Sequence, residues 1–532
     1  MAATVDAVVV GAGFGGIYMV HKLREMGFSV QGFEKGADVG GTWYWNRYPG
    51  ARCDVGSLFY SYTFSDELRA EWRWTEMFSA QPEILAYANH VADRFDIRRS
   101  YRFDTVVVSE VFDPETDLWT ITTDQGEVIT ARYCIMATGC LSMPKDPEID
   151  GAESFKGPIY HTGRWPHEGV DFTGKRVAVI GTGSSGIQSI PEIAKAAAQV
   201  YVFQRTANYT LPSRNRPIDD AMWNEFMAAY PEYKKGLRDG TRRFAVGPVP
   251  KTREEETAMF EATWARAASI FMGWHPNLVR DQAVNDRAAA FYRDKVATVV
   301  DDPETAEDLS PKGYPMGTKR MCADTGYFKT FNRDNVRLIN LRKTPLDRIT
   351  PAGVKTSAED FQVDAIVFAT GYDAMTGALL AVDIRGKDGQ SLRDVWADGP
   401  KAYLGLSVAG FPNLFAITGP GSPSVLSNVI ASCEQHVEWI AECMDHMRAK
   451  GLTRIEADEQ AQDDWVAHVA EVASHTLYPK AASWYMGANV PGKPRVFMPY
   501  IGGDYRPRCQ AVVDAGYQGF ALSGARVTEP AY

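Results

Sequence analysis

Apolar runs that do not alternate recur along the chain, and each ends in a glycine turn. Val5 to Val10 runs into Gly11-Ala-Gly13-Phe-Gly-Gly16, and Arg176 to Ile180 into Gly181-Thr-Gly183-Ser-Ser-Gly186. Tyr133 to Met136 and Val363 to Phe368 both close on Ala-Thr-Gly, at Gly139 and Gly371, and Phe411 to Ile417 enters Thr418-Gly-Pro-Gly421. Such runs predict strands covered on both faces, the pattern of a parallel sheet. Behind the first glycine turn, Ile17 to Met26 carries apolar residues at helical spacing, and a second helix follows Gly186 to about Ala198. Ser29 to Glu34 and Tyr201 to Thr206 are the matching second strands. A helix is also predicted over Gln81 to Phe95, with Pro82 in its first turn, and another, amphipathic, over Val429 to Met447.

Between these units, alternating runs from Thr105 to Ile135 predict a β-meander with turns at Asp113-Pro114 and Asp124-Gln-Gly126. Residues 217–310 are rich in Ala, Glu, Arg and aromatics, with few strand signals, and predict a helical insertion. The expected fold is α/β, with two Rossmann-like dinucleotide-binding domains. The first spans 1–144 and 380–532, and the second spans 145–216 and 311–379 and carries the insertion. At 532 residues the chain is long enough for about three packing units of roughly 150 residues each.

The glycine loops carry the first chemistry. Gly11, Gly13 and Gly16, and again Gly181, Gly183 and Gly186, permit a tight turn and let backbone N–H groups approach a pyrophosphate at a helix N-terminus. Glu34, 18 positions after Gly16, suits a ribose diol. The second unit has Arg205 and Thr206 at that place. A guanidinium pairs with a 2′-phosphate that a carboxylate would repel, so NADP(H) is expected there rather than NAD(H). Trp43, Trp45 and Tyr48 in the loop Gly40 to Asp54 suit a flat ligand such as a flavin, or serve as packing anchors. Lys319 and Arg320 are adjacent cations in a glycine- and proline-rich loop, and Trp484 lies in another glycine-rich loop.

Composition removes other classes. A net charge of −11 without clustered Lys and Arg argues against nucleic acid as a partner. Seven scattered cysteines with no C-x-x-C pair leave no metal ribbon or redox dithiol, and no metal site is expected. They fit a reduced, cytoplasmic compartment. No apolar run is long enough to span a membrane, and the chain enters a strand too early for a cleavable signal.

A further pattern lies between the two glycine loops: Phe155, Gly157, His161, Trp165 and Pro166, spaced as F-x-G-x-x-x-H-x-x-x-W-P. With Gly41, Trp43, Tyr48, Pro49, Gly50 and Asp54 it resembles the type I Baeyer-Villiger monooxygenases over nearly the whole chain. Loops such as Gly487 to Arg495 resemble the branch of that family acting on phenylacetone. Val425 departs from the smaller alanine there, in a loop that by resemblance borders the substrate pocket.

The resemblance implies a monomeric enzyme that binds FAD and NADPH and uses O2, activated at the flavin, to convert a ketone to an ester or lactone. It implies Arg320 as the active-site cation and Asp54 as its carboxylate partner. Gly41, Thr42 and Trp43 would lie at the FAD, Lys319, Arg205 and Thr206 at the 2′-phosphate, and Trp484 near the nicotinamide ribose. A flavin enzyme oxygenating nitrogen or sulfur is the rival reading, and a flavin-binding protein without turnover is a more distant one. His161 reads as a link between the two domains rather than as a base.

Overall fold

The computed structural model describes residues 3–240, 248–266 and 275–524, so 241–247 and 267–274 of the expected insertion lie outside the described residues. Two sheets organise the chain, the first mixed and the second parallel. In the first, strand Ala3–Val10 lies between Val30–Phe33 and Val128–Met136, with Tyr101–Arg102 beyond Val30–Phe33. The third meander strand and the returning apolar strand are a single element, Val128–Met136. Its first half pairs antiparallel with Leu118–Thr123, and its second half pairs parallel with Leu414–Ala416. Late residues thus complete the first sheet. Asp383–Arg385 adds a further strand beside Val107–Asp113.

The second sheet is parallel throughout, in the order Val336–Asn340, Gln199–Gln204, Arg176–Ile180, Ala365–Phe368 and Ile159–His161. Its edge strand comes from the Phe155-to-Pro166 motif. Trp165 of the same motif is buried against Tyr160 and Phe172. Gly157 passes so close to Asp364 O that a Cβ would stand 2.6 Å from it.

Both crossover helices begin inside their glycine motifs, at Phe14–Glu25 and Ser184–Ala196, earlier than apolar spacing alone predicts. Spacing registers mainly large side chains, and here small residues, Gly15, Gly16, Ser184, Ser185 and Gly186, make up most of the first turns.

The insertion is helical where described, but it does not pack as one unit. Phe260, Tyr292 and Leu309, from helices Arg253–Ala265, Gln282–Ala297 and Pro303–Leu309, enter the core of the second sheet. Helix Asp220–Arg238, expected with them, lies instead on the first domain. Phe226 and Tyr233 pack on Phe59 at 5.4 and 5.3 Å, and the buried Arg69 guanidinium sits 4.7 Å from the Phe226 ring. An amphipathic pattern specifies that a face is buried, not what buries it.

Candidate active site

The two glycine loops are near copies in their steric detail. Gly11 and Gly181 have φ of +105° and +110°, and a Cβ on them would stand 2.6 Å from Ala137 O and 2.4 Å from Ala369 O. Each loop is therefore pressed against the Ala-Thr-Gly strand end of its own sheet. A Cβ on Gly16 or Gly186 would meet the carbonyl of Gly11 or Gly181 at 1.8 or 2.2 Å. The middle positions are open: a Cβ on Gly183 would meet nothing within 4 Å, and one on Gly13 only Gly41 Cα at 3.5 Å. Neither following helix has a side-chain cap or an acidic residue in its first turn, so the first N–H groups stay available to an anion. This arrangement fits one dinucleotide pyrophosphate at each loop.

Glu34 is buried, and its carboxylate accepts from Ala12 N and Gly36 N, each at 2.7 Å. Burial raises its pKa and the two amides pull it back. The Trp45 side chain also bonds to it, and since a carboxylate has about four acceptor positions, one remains for a ribose hydroxyl. Gly41, with φ +52°, presses on Gly13, and exposed Thr42 opens the short helix Thr42–Trp45. The Trp43 ring is buried in the first core and donates from Nε1 to Tyr60 Oη at 3.1 Å. The next part of this loop reaches the other domain. Tyr48 Oη donates to Gln188 Oε1 at 2.8 Å, and Gly50 passes so close that a Cβ would stand 2.4 Å from Gln188 O. The glycine at that place is thus a condition for the two domains to touch.

Arg320 and Asp54 meet across this junction. The guanidinium donates from Nε to Asp54 Oδ2 at 2.8 Å and from Nη2 to Oδ1 at 2.7 Å, while Nη1 donates to Val425 O at 2.8 Å. Both side chains are mostly buried, at 19% and 15% exposed. Burial opposes the charge on Arg320, but the Asp54 carboxylate more than offsets it, and the pKa stands above the ordinary arginine value. Tyr485 is buried beside this pair, and burial pushes its phenol pKa up against the pull of Arg320. The adjacent Trp484 is half-buried and starts the turn Trp484–Met486.

The insertion positions the loop that delivers Arg320. Asn285, 1% exposed on helix Gln282–Ala297, accepts from Met316 N at 2.8 Å and donates to Met316 O at 2.8 Å and Leu278 O at 2.7 Å. Tyr314 in the same loop lies beneath Lys319, whose ammonium stands 4.6 Å from the ring centroid. Burial and the nearby Arg205 and Arg342 lower the Lys319 pKa. The structure therefore brings Lys319, Arg205 and Thr206 to one place. Sequence reasoning missed Asn285, Gln188 and Arg342, whose roles depend on contacts distant in sequence.

His161 is buried and ties the two connections between the domains. Its Nδ1 accepts from Gly163 N at 3.0 Å, so Nε2 carries the proton and donates to Lys145 O at 3.1 Å. Thr370 Oγ1 donates to the same carbonyl at 3.0 Å, and Lys145 N donates to Gly371 O at 3.0 Å. Asn489 Nδ2 of the late loop donates to Tyr372 O at 2.6 Å. Burial depresses the His161 pKa. Among the described residues no cluster of His, Cys, Asp or Glu could hold a metal ion, and no helix is long and apolar enough to cross a membrane.

Two dinucleotide-type glycine loops on one chain, with a fixed guanidinium between their units, are the features of a flavin- and pyridine-nucleotide-dependent oxidoreductase. Residues 8–233 match the family model described as pyridine nucleotide-disulphide oxidoreductase, but all seven cysteines are free, with no redox pair. The chain is 43% identical to a Baeyer-Villiger monooxygenase of Pseudooceanicola batsensis, covering 97% of this chain and 96% of that one. It is 39% identical to the phenazine N-monooxygenase PhzNO1 of Lysobacter antibioticus, covering 97% of each. Among solved structures, an oxidized steroid monooxygenase bound to NADP superposes with a TM-score of 0.93 at 48% identity, over 98% of this chain and 100% of that one. The chain belongs to the Baeyer-Villiger monooxygenase family, and it is an FAD- and NADPH-dependent flavoprotein monooxygenase.

Proposed function

We propose that the enzyme converts a ketone to an ester or lactone, with Arg320 as the catalytic cation and Asp54 as the residue that orients it. The observation that carries this reading is the grip on Arg320: two parallel bonds that it donates to Asp54 and one to Val425 O hold a permanent charge at the domain junction. Bound FAD would supply the centre where O2 is activated, and NADPH the reducing equivalents. The chain's own contribution is electrostatic. A guanidinium fixed before the reaction stabilises negative charge developing on the carbonyl oxygen without reorganising, which is where such donors act most strongly. Its raised pKa keeps it cationic throughout any working pH range.

Gly11, Gly13, Gly16, Glu34, Gly41, Thr42 and the Trp43 backbone would hold FAD. Gly181, Gly183 and Gly186 would take the NADPH pyrophosphate, Arg205, Thr206 and Lys319 its 2′-phosphate, and Trp484 would lie toward its nicotinamide end. The first domain would comprise 1–144 and 380–532 together with helix Asp220–Arg238, and the second the remainder. Seven free cysteines support a cytoplasmic enzyme, and we read it as a monomer.

A second reading, oxygenation of a ring nitrogen, is favoured by the 39% identity to a phenazine N-monooxygenase. Incubating the FAD-loaded enzyme with NADPH and separate panels of ketones, aromatic N-heterocycles and amines, with product identification by mass spectrometry, separates the two. Esters or lactones from ketones are expected. N-oxides without any ester would replace the ketone reading.

A further inference from the structure

Strands Gln199–Gln204 and Val336–Asn340 are parallel neighbours, with Gln204 opposite Asn340. The residues just past their carboxyl ends therefore emerge side by side, the place where an open parallel sheet receives its ligand. Arg205 follows the first strand. Arg342 follows the second by two residues, after a turn in which Leu341 N donates to Gln204 O at 2.8 Å. The Arg342 guanidinium is anchored there: Nε donates to Arg205 O at 2.9 Å, and Nη2 to Thr206 Oγ1 at 3.4 Å.

Three cations thus converge without a counter-charge. No ion pair among the described residues includes Arg205, Lys319 or Arg342, whereas the next residue, Lys343, is paired with both Glu304 and Asp308. Lys319 lies near enough to both arginines that they, after burial, lower its pKa. On a chain with a net charge of −11, an uncompensated triad at a strand-end ligand position points to an anion as its missing partner.

We propose that Arg342 is a third contact to the 2′-phosphate of NADPH and a determinant of the choice of NADPH over NADH. The proposal rests on the reading that Arg205, Thr206 and Lys319 receive that phosphate. Arg342 acts in two ways. A nitrogen not committed to Arg205 or Thr206 faces the anion, and the bond it gives to Thr206 Oγ1 leaves that hydroxyl's own proton to donate to the phosphate. The Arg205 backbone is braced by the same side chain.

Calorimetric titration of the FAD-loaded enzyme with adenosine 2′,5′-bisphosphate and with 5′-AMP tests this, in wild type, Arg342→Ala, Arg342→Gln and Arg205→Ala. Both Arg342 variants are expected to weaken the bisphosphate about tenfold and to change 5′-AMP by less than about twofold. Because Gln keeps a donor toward Arg205 O, a loss seen only in Arg342→Ala would mark backbone support and overturn the proposal. Discrimination unchanged in both Arg342 variants but lost in Arg205→Ala would sink the role of Arg342 and leave the site assignment standing. Unchanged discrimination in all three would remove the assignment and the proposal together.

Discussion

Arg320 and Asp54 are 266 residues apart in sequence and joined by two parallel hydrogen bonds of 2.7 and 2.8 Å. The pair closes the junction between the two nucleotide units and fixes the plane of the guanidinium. Arg320→Ala is expected to lower ketone-dependent product formation by about 10²- to 10³-fold, the usual cost of a lost oxyanion donor. Arg320→Lys should recover part of this, since it keeps the charge and loses the fork. Product formation and the FAD absorbance of the purified variants are the measurements. Wild-type turnover in Arg320→Ala would take the residue out of the chemistry. Loss of FAD in that variant would assign it to cofactor retention.

Asn285 is the hinge pin of the loop that delivers Lys319 and Arg320. Asn285→Ala leaves Met316 N, Met316 O and Leu278 O without their buried partner, at a cost of about 2–3 kcal/mol. A lower melting temperature is expected, together with a weaker Kd for NADP and a slower ketone rate per folded molecule. If the protein melts earlier but binds and turns over normally, the loop is held by other contacts.

The parts of the site legible in the sequence were those with a local pattern. The glycine loops, Glu34 against Arg205, and the spacing from Phe155 to Pro166 each encode a steric or charge demand within a few residues. The two-sheet architecture followed from them. What was not legible depends on partners brought in by the fold. Asn285 is an ordinary polar residue on a helix until Met316 folds over it, and Arg342 is an ordinary surface cation until Thr206 lies beside it. Arg320 donates one bond to a backbone carbonyl, Val425 O, which no side-chain pattern announces. Helix Asp220–Arg238 shows the same limit at the level of packing, since its apolar face did not say which domain it covers.

His161 binds Lys145 O with the proton on Nε2, while Nδ1 accepts from Gly163 N. Protonation would place a hydrogen on Nδ1 against that N–H. Burial already depresses the pKa, so the histidine's stability contribution is full above the ordinary value of 6.5 and is lost as pH falls through the lower folded value. His161→Ala should therefore keep FAD and the NADP site while raising NADPH consumption without product, and should leave the shape of the pH profile above 6.5 unchanged. Coupling is measured as product formed per NADPH consumed. An alkaline change in the profile would show that His161 handles a catalytic proton.

Glu110 lies fully buried on strand Val107–Asp113, and neither carboxylate oxygen has a hydrogen-bond partner among the described residues. Burial pushes its pKa up to about 8 from an ordinary 4.5. The folded protein holds this proton where the unfolded chain has released it. Its stability contribution is therefore full below pH 4.5 and is lost as pH rises toward 8, with a slope of up to about 1.4 kcal/mol per pH unit. Glu110→Gln removes the titration and keeps the shape, and Glu110→Leu also removes the unpartnered polar atoms. Melting temperatures of both variants should fall less than that of wild type between pH 5 and pH 8, with Glu110→Leu the most stable at pH 8. A wild-type slope in Glu110→Gln would mean that the carboxyl finds a charged partner in solution and that the pH dependence arises elsewhere.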